Sequence, residues 1–245
     1  MKFIKQIPNF LTSLNLICGF LSIILASNSQ SLIYAPYLIF IAVFFDFADG
    51  FAARLLKINS EIGKQLDSLA DGVSFGIAPG IIGFQLMLLG LHTNITAINV
   101  SDAFFLVTAV FIPVFSVLRL AKFNIDYRQS TEFIGLPTPA SAVFISSLAL
   151  IAFNSDNGFV RDFILMPGLL AIIFIIDSLL MISNLRLFAL KFKSLSFSEN
   201  FIQYLFLGIS AIMFILFRFY ALPLIIILYI LLSLVEYIQS KPLAK

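Results

Sequence analysis

Eight long apolar runs, separated by short polar connections, restrict the fold of this 245-residue chain more than any other feature. A helix needs about 20 residues to cross a hydrocarbon core of about 30 Å, and the runs are near that length. Because 60% of the residues are apolar and 11% are charged, an ordinary soluble domain is excluded. The sequence predicts an all-α, polytopic membrane helix bundle with about eight transmembrane helices. The runs are 10–27, 35–56, 66–91, 102–122, 137–153, 163–182, 203–217 and 220–238.

The distribution of Lys and Arg predicts the orientation of this bundle. With eight spans, only two of the 15 basic residues, Arg161 and Arg218, lie on the less basic side of the membrane. Because basic loops stay in the cytoplasm, both termini are predicted to be cytoplasmic. A six- or seven-span arrangement remains open, since the fifth run is short and only residues 218–223 separate the last two.

Four aspartates interrupt the second and third runs: Asp46, Asp49, Asp67 and Asp71. A charge in the middle of a membrane costs roughly 2.5 to 3.5 kcal/mol, so a cluster of four indicates a function. Spacings of three and four residues place each pair on one helix face, and a short loop between the helices would direct all four into one cavity. Hard cations such as Mg²⁺ or Mn²⁺ prefer carboxylate oxygens and would neutralise the cluster. With one cysteine in the chain, we expect any bound metal to have oxygen ligands.

Two metals a few ångströms apart form a clamp that suits phosphoryl transfer. Gly50 and Ala53 share the face of the first aspartate pair and would let a ligand approach the backbone. Arg54 and Ser60 follow, and a guanidinium with a hydroxyl suits a phosphate or nucleotide. Intramembrane aspartates also serve as proton relays or pair helices, and a cation-coupled transporter is the alternative from another class.

The pattern D-x2-D-G-x2-A-R-x8-G-x3-D-x3-D resembles the signature of the CDP-alcohol phosphatidyltransferase family. The resemblance implies an integral-membrane enzyme, usually a homodimer with a six-helix core, that displaces CMP from a CDP-linked lipid or alcohol. The matching positions are Asp46, Asp49, Gly50, Ala53, Arg54, Gly63, Asp67 and Asp71.

The same resemblance implies roles for individual residues. Asp46, Asp49, Asp67 and Asp71 would bind two Mg²⁺ or Mn²⁺ ions, and Asp71 would also be the catalytic general base. The residues implied to bind CDP-diacylglycerol are Pro8, Asn9, Leu11, Thr12, Asp49, Gly50, Ala53, Arg54, Ser60 and Gly63.

Further segments, at residues 7–20, 71–80, 119–140 and 181–194, resemble the integral-membrane phosphatidylserine synthases of bacteria and archaea. This resemblance implies a family core over 1–195 followed by two additional helices over 196–245. It implies L-serine as the acceptor, phosphatidylserine and CMP as products, and a cytoplasm-facing active site in the inner membrane. No nucleic-acid partner is expected.

The acceptor site is expected near the loop between the fourth and fifth runs. A serine zwitterion needs a cation or amide donors for its carboxylate, and the candidates are Arg119, Lys122, Asn124 and Thr138, with Arg128, Ser74, Ser141, Ser183 and Asn184 as weaker ones. Family members commonly have Arg at the position of Lys122, and lysine lacks the bidentate fork of a guanidinium. Glycerol 3-phosphate or an inositol phosphate is the alternative acceptor.

Overall fold

The computed structural model describes residues 4–58, 60–125, 133–188 and 200–240, and almost all of this part is helical. One pair of two-residue strands, β1 (Phe133–Ile134) and β2 (Arg186–Leu187), is antiparallel. The helices are α1 (Ile7–Ala26), α2 (Ala35–Leu55), α3 (Glu61–Asp71), α4 (Ala78–Gly90), α5 (Val100–Ile125), α6 (Thr138–Asn154), α7 (Gly158–Ile164), α8 (Pro167–Ile182), α9 (Phe201–Phe217) and α10 (Ala221–Ser240).

The predicted class, an all-α polytopic membrane protein, is confirmed. Within the described residues, 5 helical segments are long and apolar enough to cross a membrane, or 6 when α7 and α8, which are bent by 54°, count as one span. Helix α6 is apolar but shorter, with 17 residues. The number of eight spans and the cytoplasmic position of the termini therefore stay predictions.

Helices α9 and α10 fold back on each other. The rings of Phe206 and Tyr229 lie 5.7 Å apart. In one straight helix, residues 206 and 229 would be separated by about 35 Å. The chain reverses at the 3₁₀ turn Arg218–Tyr220, where Arg218 has a φ of 51°. The last two apolar runs are therefore two separate helices, which we call the C-terminal hairpin (residues 201–240).

Proline residues mark the beginning of five helices. Pro8, Pro36, Pro79, Pro139 and Pro167 each lie in the first positions of a helix. The first N–H groups of a helix have no acceptor within it, so a residue without an N–H is tolerated there. Four of these prolines lie where a separate helix begins, and Pro79 lies where the π turn passes into α4.

A π-helical turn, Gly72–Ile77, joins α3 to α4 directly after Asp71. Pro79 has no N–H to offer the preceding turn, and the Phe75 carbonyl instead accepts a hydrogen bond of 3.4 Å from Ser116 Oγ of α5. Helix α5 can approach this closely because a Cβ atom at Gly80 would lie 2.7 Å from Pro113 Cδ. The widened turn therefore fixes α5 beside the end of α3.

The main core surrounds α4 and the π turn and includes side chains from the helices that pack against them. Its largest fully buried side chains include Ile39, Phe75, Ile82, Ile112 and Phe174, contributed by α2, the π turn, α4, α5 and α8. A second, smaller cluster joins the C-terminal hairpin to the rest of the bundle. It contains Leu136, Met181, Leu187, Phe188, Phe206 and Tyr229.

Candidate active site

Helix α1 holds the two acidic helices together. It packs against both α2 and α3, whereas α2 and α3 contact each other much less than each contacts α1. A Cβ atom at Gly19 would lie 2.6 Å from Ser74 Cα, so the glycine permits a very close approach of α1 to the π turn. The sequence predicted that α2 and α3 pack against each other, whereas in the structure α1 packs against both of them and forms a group of three helices. The buried residues of α1 are Pro8, Thr12, Asn15, Cys18, Gly19, Ser22 and Ala26.

Three of the four aspartates converge at the centre of this group. One carboxylate oxygen each from Asp46, Asp49 and Asp67 lies within 4.8 Å of the other two. At that separation, two full negative charges repel by about 3 kcal/mol even at an effective dielectric constant near 20. Asp67 Oδ1 is also buried and has no hydrogen-bond partner among the described residues. A divalent cation fits this donor set, because it supplies both the missing partner and the missing positive charge.

Asp71 lies beside this group, outside the set of mutually close oxygens. Its Oδ1 accepts a hydrogen bond of 3.0 Å from Asn15 Nδ2. It interacts electrostatically with Asp46 and Asp67, which places its carboxylate next to the acidic group. The structure thus separates a triad from a fourth carboxylate, a distinction that spacing alone does not provide.

Thr12 connects α1 to the triad. Its Oγ1 lies 2.7 Å from Asp49 Oδ2 and 3.0 Å from the Pro8 carbonyl oxygen, and an ionised carboxylate is the stronger acceptor. The bond to Asp49 fixes the orientation of one member of the triad. Sequence reasoning assigned Thr12 to the nucleotide, and the structure adds this contact with the acidic group.

The residues implied to bind the nucleotide are brought together at the ends of α1, α2 and α3. A Cβ atom at Gly63 would lie 3.0 Å from Asn9 Oδ1, so these two residues face each other. The Ser60 hydroxyl caps α3 by accepting a hydrogen bond of 3.2 Å from the Gly63 N–H. The exposed Arg54 extends over Gly50, where its Nη1 lies 3.7 Å from the position of a Cβ atom. Leu11 and Ala53 are half-buried nearby in the same helices.

Arg119 and Thr138, two of the acceptor candidates, are in contact. Arg119 Nη1 donates a hydrogen bond of 3.3 Å to Thr138 Oγ1. The guanidinium is buried, with 6% of the residue exposed, and lies over the ring of Phe123. Its Nε has no hydrogen-bond partner among the described residues, and it interacts electrostatically with Asp71 and Asp46.

The other acceptor candidates have different surroundings. Lys122 is exposed. Asn124 Nδ2 donates to Ser68 Oγ at 2.8 Å, which ties the end of α5 to α3. Among the weaker candidates, Ser74 and Ser183 donate to backbone carbonyls, Asn184 is exposed, and Arg128 lies outside the described residues.

Asn15 and Asp177 are among the buried polar residues to which sequence reasoning gave no role. Asn15 is fully buried beside Asp71, and Asp177 of α8 accepts a hydrogen bond of 2.5 Å from Ser141 of α6. The signal for Asn15 was its place in the stripe Thr12, Asn15 and Gly19, whose spacing of three and four residues defines one helix face. The signal for Asp177 was a carboxylate within an apolar run.

The family model described as CDP-alcohol phosphatidyltransferase matches residues 5–182. The chain is 35% identical over 147 residues to the CDP-diacylglycerol–serine O-phosphatidyltransferase of Bacillus subtilis, with 59% of this chain and 76% of that protein covered. It is 35% identical over 146 residues to the Helicobacter pylori protein of the same name, with 59% of this chain covered, and spans 57% of the length of that relative. It is 36% identical over 153 residues to the archaetidylserine synthase of Methanothermobacter thermautotrophicus, where the covered shares are 61% and 60%.

The matched region contains α1 to α8, and with them all the acidic residues of the site and the helices that position them. The region that matches the family therefore includes the whole acidic site. The chain belongs to the CDP-alcohol phosphatidyltransferase family of enzymes.

Proposed function

We propose that this protein transfers a phosphatidyl group from CDP-diacylglycerol to the hydroxyl of L-serine, producing phosphatidylserine and CMP. The observation that carries the proposal is the acidic triad, in which Asp49 is buried and Asp46 and Asp67 are partly buried, with Asp71 at its side. The names of the relatives support serine as the acceptor.

Asp46, Asp49 and Asp67, with Asp71 beside them, would hold two Mg²⁺ or Mn²⁺ ions. When bound, such ions neutralise the carboxylates and stabilise the negative charge of a diphosphate. The orphaned Oδ1 atom of Asp67 supports this role, because a buried carboxylate oxygen without any partner is costly. Thr12 keeps Asp49 in the orientation that the site requires.

Asp71 is the proposed general base. A serine hydroxyl is a poor nucleophile at neutral pH and needs a positioned group to take its proton. As Asp71 takes this proton, a bond forms between the serine oxygen and the phosphorus that bears diacylglycerol. The bond from that phosphorus to the bridging oxygen breaks, and CMP leaves with the electron pair. The proton passes from Asp71 to solvent before the next cycle.

The nucleotide would lie where Asn9 and Gly63 face each other, with Arg54 over Gly50 as the phosphate contact. Ser60 contributes by capping α3 and so fixing the backbone around Gly63. The remaining proposed contacts are Pro8, Leu11, Thr12, Asp49 and Ala53.

Arg119 is the proposed ligand of the serine carboxylate, with Thr138 as its positioning partner. Its Nε is a buried donor that has no partner in the described ranges, and Arg is suited to bidentate recognition of a carboxylate. Asn124 is bonded to Ser68 and Lys122 is exposed, so their proposed part in acceptor binding is secondary.

The enzyme would lie in the inner membrane as a homodimer of chains with eight spans, with both termini and the active site facing the cytoplasm. Residues 1–195 would form the family core and residues 196–245 would add two helices. The boundary between 195 and 196 lies outside the described residues.

The test uses membranes that contain the protein, CDP-diacylglycerol and Mg²⁺ or Mn²⁺. L-serine, glycerol 3-phosphate and an inositol phosphate are supplied separately, and CMP and the lipid product are measured. We expect CMP release and a new lipid with serine alone. A product with glycerol 3-phosphate or inositol phosphate instead of serine would show that serine is the wrong acceptor. If none of the three compounds leads to release of CMP, the proposed transferase activity is wrong.

A further inference from the structure

Asn15 of α1 contacts the proposed general base, Asp71, with the nitrogen of its side-chain amide but not with the oxygen. The residue is fully buried, at 0% exposed. Its Nδ2 donates to Asp71 Oδ1 at 3.0 Å, but its Oδ1 is buried and has no hydrogen-bond partner among the described residues. A buried acceptor without a partner costs about 1 to 3 kcal/mol, so a ligand group that donates a hydrogen bond would repay its burial.

The unpartnered atoms around Asp71 match the functional groups of an amino acid with a side-chain hydroxyl. Within the part of the chain that the structure describes, Arg119 Nε is a donor and Asn15 Oδ1 an acceptor without a hydrogen-bond partner, and both atoms are buried. Asp71 accepts a hydrogen bond from Asn15 and attracts the positive charge of Arg119. A carboxylate, an ammonium group and a hydroxyl would thus each have a group of complementary chemistry: Arg119 Nε, Asn15 Oδ1 and the Asp71 carboxylate.

We propose that Asn15 Oδ1 binds the ammonium group of the acceptor and selects acceptors that carry one. This inference rests on the proposed function and adds a specificity-determining residue to it. Because Asn15 is already bonded to Asp71 through its nitrogen, its oxygen lies close to the same carboxylate. In serine the hydroxyl and ammonium groups are on adjacent carbons, so a hydroxyl at Asp71 keeps the ammonium within reach of Asn15.

An amide oxygen is well suited to this position for an electrostatic reason. Four carboxylates already lie together at the site, and a fifth one facing the ammonium would add to their repulsion. A neutral acceptor binds a cation without that cost. The backbone holds the amide in place, since Ser74 Oγ donates at 2.9 Å to the Asn15 carbonyl and Gly19 lets the helices approach.

The experiment compares L-serine with 3-hydroxypropanoate, which keeps the hydroxyl and the carboxylate but lacks the ammonium group. Both compounds are tested as acceptors, and 3-hydroxypropanoate is also tested as a competitive inhibitor. Asn15→Leu and the smaller Asn15→Ala remove the amide. The matched control is Ser22→Ala, a buried hydroxyl on the same helix that bonds the Ala35 carbonyl instead.

We expect Asn15→Leu and Asn15→Ala to lower kcat/KM for serine by at least about 100-fold more than they weaken the use or binding of 3-hydroxypropanoate. Ser22→Ala should leave the discrimination between the two compounds unchanged. An equal loss for both compounds would mean that Asn15 only positions Asp71, and the inference would be wrong.

A control for folding separates an effect on serine binding from a general loss of structure. Protection of each variant against thermal unfolding by CDP-diacylglycerol reports folding and nucleotide-lipid binding without serine. If one Asn15 variant does not fold, the other carries the test. If the wild-type protein forms no product from serine, the proposed function fails before the inference about Asn15 is reached.

Discussion

Helix α1 and the C-terminal hairpin are both apolar helical regions, but they are used differently. Helix α1 buries Thr12 and Asn15, which bond to Asp49 and Asp71, and it approaches its neighbours through Gly19. In the hairpin, many large apolar residues are exposed, and Ile215, for example, is 77% exposed. Polar bonds and close backbone contacts hold the side chains of a membrane helix in fixed positions. A reaction site needs side chains that are held in this way.

The hairpin attaches to the bundle by a different kind of contact. The rings of Phe188, Phe206 and Tyr229 pack together, and Tyr229 donates a hydrogen bond of 2.9 Å to the Phe188 carbonyl. Packing between apolar rings tolerates substitution better than polar bonds do, because other side chains of similar volume can fill the same space. We therefore expect substitutions to have large effects around α1 and small effects in the hairpin.

The largest effect is expected for the acidic triad. Asp67→Asn keeps the shape but removes the charge of the carboxylate whose Oδ1 has no partner. We expect CMP release to fall at least about 1,000-fold, since a metal ion at a reaction centre contributes several kcal/mol of charge stabilisation to the transition state. Binding of Mn²⁺ to the purified protein, followed by electron paramagnetic resonance, should weaken in parallel. Unchanged Mn²⁺ binding would remove Asp67 from the metal ligands.

Asp71→Asn tests whether the fourth carboxylate differs from the triad. We expect serine-dependent turnover to fall roughly 100- to 10,000-fold, because a general base is lost. CDP-diacylglycerol should still protect the protein against thermal unfolding, because the three carboxylates of the triad and the residues proposed to contact the nucleotide are unchanged. Near-normal turnover would show that another group takes the proton.

Thr12→Val tests how far the polar bonds of α1 matter beyond the carboxylates themselves. Loss of the hydrogen bond to Asp49 should lower the apparent affinity for Mn²⁺ by roughly 10-fold, as removal of a group that orients a metal ligand usually does. Ser13→Ala is the matched control, because the neighbouring Ser13 hydroxyl bonds only the Asn9 carbonyl of its own helix. Equal metal affinities in the two variants would contradict a role for Thr12.

A pair of glycine substitutions compares the two regions directly. A Cβ atom at Gly19 would collide with Ser74, whereas nothing lies within 4 Å of a Cβ atom at Gly208 in the hairpin. We expect Gly19→Ala to destabilise the fold by about 1 to 3 kcal/mol and to lower Tm by roughly 2 to 10 °C. Gly208→Ala should leave Tm within about 1 °C or raise it slightly, because alanine favours a helix. Similar Tm changes for both variants would mean that close packing is not special to α1.

The sequence predicted the site well where the chemistry depends on local spacing. Asp46 and Asp49 are three residues apart, and Asp67 and Asp71 are four apart, so helix geometry alone places each pair on one face. Spacing could not separate Asp71 from the triad or assign a partner to Asn15, because both depend on how close α1 comes to α3. That distance is set by Gly19 and Ser74, which are 55 positions apart in the chain.

The apolar runs by themselves determined that this chain is a helical membrane protein, because lipid leaves a backbone no partner outside its own helix. The same runs located the apolar helices, although most of α7 and the first half of α3 lie outside them, and the acidic spacing determined what family and chemistry to expect. Only the tertiary structure decided that α1 joins the two acidic helices, that the π turn sets α5 and Arg119 beside Asp71, and that the last two runs form a hairpin. These features depend on close contacts between distant residues, and such contacts leave no period in the sequence.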